Sequence, residues 1–267
     1  MAYATNDGVR IYYEADEPAD GEPVVFVEGL AYGTWMWNWQ RDPLSESYHT
    51  VVLDNRGTGH SDAPEGPYTV AEMAADVQAV VAEAGLDGIH LVGASLGGMI
   101  AQEYALTYDG VRSLSLLCTS PGGEDAVPIP DETLARMLDV PDEYGPAETI
   151  RYKMQPAFTD EFVAENPDVV DQIVDWRLDT DPSEAAYEAQ SAAAGAFDAS
   201  DRLADLDVPT LVLHGTADRV LPVENAHLLA EAVPDADLVT VEGGSHLFFI
   251  ERDDRVTEEL RGFLADV

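Results

Sequence analysis

Apolar residues follow two rhythms along this chain. Short, nearly continuous runs predict strands at VRIYYEA (9–15), VVFVE (24–28), TVVLD (50–54), IHLVG (89–93), SLSLLC (113–118), TLVLHG (210–215) and LVTVEG (238–243). Between them lies AEMAADVQAVVAEAG (71–85), whose apolar positions recur at helical spacing. Thr69 stands before it as a possible N-cap, and a glycine closes it. Further helices are predicted from about Gly98, at 222–232 and near 253–265. Strands that alternate with helices, and that are apolar on both faces, predict a mostly parallel central sheet flanked by helices.

The rhythm breaks after Cys118. Residues 121–205 carry prolines and short helical stretches such as ETLARMLD and VVDQIVDWRLD, with no buried strand pattern. The chain of 267 residues therefore reads as one α/β core, 1–120 and 206–267, interrupted by a helical insertion at 121–205. No repeat or low-complexity tract is visible.

Charge changes this picture in one respect. Asp and Glu number 52 against 13 Lys and Arg, a net charge of −39, and Lys153 is the only lysine. Phosphate would be repelled, so nucleic acid is excluded as a partner. The acids are scattered among periodic apolar segments, which argues against disorder. A surface so acidic repels itself at low salt and is relieved at molar salt, where the screening length falls to about 3 Å. The composition resembles that of proteins from salt-in halophiles. The N-terminal residues have neither a basic nor an apolar signal segment, and no apolar run reaches the ~18 residues of a membrane span. A cytoplasmic location without membrane attachment is expected. Cys118, the single cysteine, sits in SLSLLC as a buried small hydrophobe.

Candidate chemistry begins at IHLVGASLGGMIAQEYA (89–105), where a strand runs into Gly93-Ala94-Ser95-Leu96-Gly97 and then a helix. This is the G-x-S-x-G pattern, in which a tight turn lifts a serine above the C-terminal edge of a sheet. Glycine-rich turns at that place also bind phosphate, but neither G-x-G-x-x-G nor a G-K-[ST] ending is present. A serine hydroxyl needs a base, and the base needs an orienting acid. Downstream of Ser95 only His214, His227 and His246 remain. His214 ends a strand and His227 lies within a helix, so both read as structural or solvated. His246 follows a strand in a glycine-rich loop. Asp218, in LHGTADRVLP, lies just past a strand end, 28 residues before His246. The histidines have no metal-ligand spacing, so no metal and no cofactor are expected.

The stretches VVFVEGLAYG, LDNRGTGHSD, VGASLGG, VPTLVLHGTADRVLP and EGGSHLFFIE together resemble the α/β-hydrolase superfamily over nearly the whole chain. The resemblance implies Ser95 as nucleophile, His246 as general base, Asp218 as its orienting carboxylate, and the insertion as a cap over the site. It implies an oxyanion hole made by the backbone N–H groups of Leu96, just after the nucleophile, and Leu30, in the loop after VVFVE. Many relatives have His-Gly in that loop, where this chain has Glu28-Gly29. A carboxylate aimed into the hole would oppose its purpose, so Glu28 is expected to turn aside. Trp35 and Trp37, with Met36 and Trp39, are candidates for an apolar substrate pocket or for a helix packed on the core, and Arg56 for bracing a loop. AFDASDRLADLDVPTLVLHGTADR is similar to 3-oxoadipate enol-lactonases and related carboxylesterases. The expected function is hydrolysis of a small ester or lactone through an acyl-enzyme. Perhydrolase, carbon–carbon bond hydrolase, iminopeptidase or acyltransferase chemistry, or a receptor-like member without turnover, are the alternatives.

Overall fold

Runs such as Val24-Val25-Phe26-Val27 and Val51-Val52-Leu53 place side chains on both faces of a strand, and a strand apolar on both faces must be covered on both. In a computed structural model, which describes residues 2–16, 18 and 21–267, that condition is met by one eight-stranded sheet. Its strands are β1 (Ala2–Asn6), β2 (Val9–Ala15), β3 (Glu22–Val27), β4 (Tyr48–Leu53), β5 (Ile89–Ala94), β6 (Val111–Leu117), β7 (Thr210–Gly215) and β8 (Ala236–Val241). Their spatial order is β1-β2-β4-β3-β5-β6-β7-β8. β2 runs antiparallel to both neighbours, and every pairing from β4 to β8 is parallel.

Among the described residues the helices are α1 (Asn38–Leu44), α2 (Val70–Glu83), α3 (Leu96–Thr107), α4 (Asp131–Leu138), α5 (Pro146–Met154), α6 (Asp160–Glu165), α7 (Pro167–Thr180), α8 (Glu184–Ala196), α9 (Glu224–Ala232), α10 (Phe248–Glu251) and α11 (Asp253–Asp266). Alternate strand residues feed two cores. Val25, Val27, Leu53, Leu91 and Leu116 pack with residues of α2, α3 and α9. Val24, Phe26, Val52, Val92 and Leu213 pack with residues of α1, α10 and α11. Thr69 caps α2 as expected: its Oγ1 accepts the Glu72 N–H at 3.1 Å, and Glu72 accepts the Thr69 N–H at 2.9 Å. No described helix is long and apolar enough to cross a membrane.

Two local expectations change. The hairpin partner β1 was not anticipated, although Asp7-Gly8 at its turn, with φ 46° and 86°, is a hairpin signal. The Ala- and Thr-containing strand before it carries little apolar pattern of its own. Helix α3 starts at Leu96 rather than near Gly98, directly after the turn residue Ser95. Between β6 and β7 the chain forms α4 to α8 and contributes no strand to the sheet.

Candidate active site

The turn at Ser95 is built by close approach. Ser95 has φ 55° and ψ −120°, a conformation that costs on the order of 1–3 kcal/mol for a residue with a side chain. Its small neighbours explain how the turn closes. A Cβ on Gly93 would lie 2.2 Å from the Gly97 carbonyl oxygen, and one on Gly97 would lie 2.1 Å from that of Val27. Thr119 Oγ1 donates to the Ser95 carbonyl at 2.7 Å, tying the turn to the end of β6. Ser95 thus stands at the C-terminal edge of the sheet, at the N-terminus of α3.

Asp218 and His246 meet at the same edge, two strands away. Asp218 follows β7, and its side chain is fully buried. Its Oδ1 accepts the N–H groups of Val220 at 2.7 Å and Leu221 at 3.0 Å. Its Oδ2 lies 2.8 Å from His246 Nδ1. Burial alone would push this carboxyl up. The charge of His246 and hydrogen bonds from His214 and His246 outweigh it, holding Asp218 at about 2. A carboxylate only accepts, so His246 Nδ1 carries the hydrogen, and in the neutral imidazole Nε2 is the nitrogen with the lone pair.

His214, read from sequence as structural or solvated, is fully buried at the end of β7. Its Nε2 lies 3.1 Å from the same Asp218 Oδ2 and 2.8 Å from the Leu221 carbonyl oxygen. His227 sits on α9, as expected.

On the other side of Ser95 lies the loop after β3. A Cβ on Gly29 would be 3.4 Å from Ser95 Cβ, so this loop packs directly on the turn. No described residue accepts the Leu30 or Leu96 N–H. The neighbouring Ala31, at φ 67°, donates its N–H to Gln190 Oε1 of α8 at 3.1 Å. Gln190, itself fully buried, also donates to the Arg56 carbonyl and to Thr58 Oγ1, each at 2.8 Å. One side chain from the helical segment thus fixes the loop.

The Glu28 side chain turns aside. It is fully buried, Oε1 accepts the Asn55 backbone N–H, and Oε2 has no partner among the described residues. Burial and the nearby Asp54 carboxylate push Glu28 well above the usual carboxylate range. Arg56 braces its loop by pairing with Asp76 at 2.6 and 2.8 Å.

The tryptophans divide. Trp37 is fully buried, stacked on Phe249 at 5.2 Å and tilted against Phe26 at 5.0 Å. It fills the core under the sheet, which decides for core packing over a pocket wall. Trp35 packs between Tyr32 and Trp176 of α7, and its Nε1 donates to Thr180 at 3.2 Å. A separate surface cleft of about 420 Å³ lies between Trp39 and Trp176. Asn38, Asp42, Asp168, Val169 and Gln172 complete its lining, so it lies apart from Ser95, Asp218 and His246.

Arg177 of α7 is another buried group that sequence reasoning passed over. It pairs with Asp181 at 2.8 Å, and its guanidinium carbon lies 5.1 Å from the centre of the Tyr32 ring. No motif marks Arg177 or Gln190, because each is a single polar residue on a helix that only tertiary packing turns inward. His214 carries a weak signal: a histidine at a strand end, four residues before an acid.

Residues 22–253 match the family model described as the alpha/beta hydrolase fold. The chain belongs to that family. It is 30% identical over 268 residues to a protein of Azorhizobium caulinodans named as a candidate carbamate hydrolase, RutD, covering 100% of this chain and 99% of that one. Among solved structures, an N-acyl homoserine lactone degrading enzyme is 30% identical with a TM-score of 0.84, over 98% of this chain and 100% of that one. The enol-lactonase from Burkholderia xenovorans LB400 is 27% identical with a TM-score of 0.87, over 99% and 100%.

Proposed function

We propose that this alpha/beta hydrolase cleaves a small ester or lactone through an acyl-enzyme on Ser95. The observation that carries the reading is the 2.8 Å contact between His246 Nδ1 and Asp218 Oδ2 at the same sheet edge as the strained Ser95 turn. With Nδ1 holding its hydrogen against Asp218, Nε2 takes the Ser95 proton as Oγ attacks the carbonyl carbon. The N–H groups of Leu30 and Leu96 stabilise the oxyanion, at ~3–4 kcal/mol per donor. His246 then gives the proton to the departing alkoxide, which in a lactone stays tethered to the acyl group. Water, deprotonated by His246, attacks the acyl carbon and returns Ser95. Asp218 stays ionised throughout. The N-acyl homoserine lactone degrading enzyme and the enol-lactonase among the similar structures support the lactone end of this substrate class.

On this reading residues 121–205 form a cap that shapes substrate choice. The contacts of Trp176 with Trp35 and of Gln190 with Ala31 support it, since both join that segment to the loop beside Ser95. Ser95→Ala should remove about 10⁵-fold or more of turnover. A panel of esters and lactones of graded acyl length, assayed at molar KCl with wild type and Ser95→Ala, tests this. Turnover that survives the substitution, or tight binding of panel members without turnover, would overturn the reading.

A further inference from the structure

Asp218 Oδ2 faces two imidazoles, not one. The second, His214, plays no part in the steps above, yet it is buried at the end of β7 with Nε2 3.1 Å from that oxygen. Nε2 also lies 2.8 Å from the Leu221 carbonyl oxygen, and both neighbours are acceptors. The hydrogen is therefore on Nε2, shared between carbonyl and carboxylate. Nδ1 is buried with no partner among the described residues, so the ring acts from Nε2 alone.

We infer that His214 is a positioning residue that sets the strength of the base His246 by taking up part of the Asp218 charge. The inference rests on the proposed roles of Ser95, His246 and Asp218. The division of labour on the carboxylate is physical. Two backbone N–H groups fix Oδ1 and hence the orientation of the group. On Oδ2 the two imidazoles compete, and whatever charge His214 absorbs is withheld from His246. Without the His214 donor, His246 feels the whole carboxylate and holds its proton more strongly. Other ionisable groups around the pair leave this balance in place. The Cys118 thiol, at the end of β6, is pushed well up by burial and by Asp218, so it adds no charge. Glu251 of α10 is occupied by the N–H groups of Ser245 and Thr159 and by the Thr159 hydroxyl. Arg219 turns away to the carbonyls of Phe158 and Gln155.

The test is the pH profile of kcat/KM for p-nitrophenyl acetate at molar KCl, with His214→Phe and His214→Gln beside wild type. His214→Phe fills the space but removes the donor. Its acidic limb should move to higher pH by roughly half a unit to one unit. His214→Gln carries an amide N–H at the reach of Nε2 and should restore the wild-type limb. The low-field proton resonance of His246 Nδ1–H gives a second readout that needs no turnover, and it should move further downfield in His214→Phe. If both the limb and the resonance stay put while only the melting temperature falls, His214 is a structural residue and the inference is wrong. Loss of reaction in Ser95→Ala, measured alongside, keeps that failure distinct from a failure of the proposed mechanism.

Discussion

Two fully buried carboxyl groups flank Ser95, and their surroundings push them in opposite directions. Asp218, after β7, and Glu28, after β3, both suffer desolvation that favours the neutral acid. Asp218 receives two backbone N–H groups and two imidazoles, and is held ionised. Glu28 receives one backbone N–H, has an oxygen with no partner, and lies beside a second carboxylate rather than a cation. Burial acts the same way on both, so the partners decide the direction in which each is shifted. On the proposed mechanism, the carboxyl beside the base is furnished with donors, and the one beside the oxyanion loop is pushed towards its neutral form.

The contrast breaks most visibly at Asp218. Asp218→Asn keeps the shape but can present its amide to His246 Nδ1, which favours the wrong tautomer, so kcat should fall about 10⁴-fold. A loss under tenfold in a folded variant would mean that the carboxylate charge is idle. Gln190→Ala comes next. It frees the Ala31 N–H and the loop that carries Leu30, and kcat should drop by roughly 10- to 100-fold through lost positioning, with less change in KM. Equal losses across both parameters, together with a collapsed melt, would reduce Gln190 to a packing residue.

Glu28→Gln should have the smallest kinetic effect, within about tenfold in kcat, a change of ~1.4 kcal/mol. Its signature is in stability against pH. Glu28 binds its proton more tightly folded than unfolded, so native protein is stabilised below the ordinary value of 4.5 and loses that advantage as pH rises through the folded value. Glutamine has no proton to lose. The melting temperature of Glu28→Gln relative to wild type should therefore rise from pH 4.5 to pH 8, and a pH-independent difference would contradict a Glu28 carboxyl pushed up by burial. Added salt sharpens the comparison further. The net charge of −39 predicts a higher melting temperature at about 3 M KCl than at about 0.1 M. The pH-dependent Glu28→Gln increment should change little, because buried charges are screened less.

Much of the arrangement was legible in the sequence because it rests on local patterns. Strand β5, the Gly93–Gly97 turn and helix α3 follow from an apolar run, a set of residues too small to clash, and a helical continuation. Asp218 and His246 were singled out because each follows a strand, and those two strand ends share one edge, where the side chains lie 2.8 Å apart. Residues that act through distant packing were not legible. Gln190 is one glutamine in an alanine-rich helix, and nothing local says that it will meet Ala31, Arg56 and Thr58. His214 looked like a strand residue because its partner on Asp218 depends on how the 214–221 turn folds back. Trp37 stayed open for the converse reason: a tryptophan-rich segment suits a pocket wall and a core equally, and only its burial and the stacking on Phe249 distinguish them.

The most direct test of the account is covalent. An organophosphonate that mimics the tetrahedral intermediate should react once per chain, and peptide mass mapping should place the adduct on Ser95. Labelling should disappear in Ser95→Ala and slow sharply in Asp218→Asn. An adduct on any other residue, or undiminished labelling of Ser95→Ala, would contradict the assignment of Ser95 as the nucleophile.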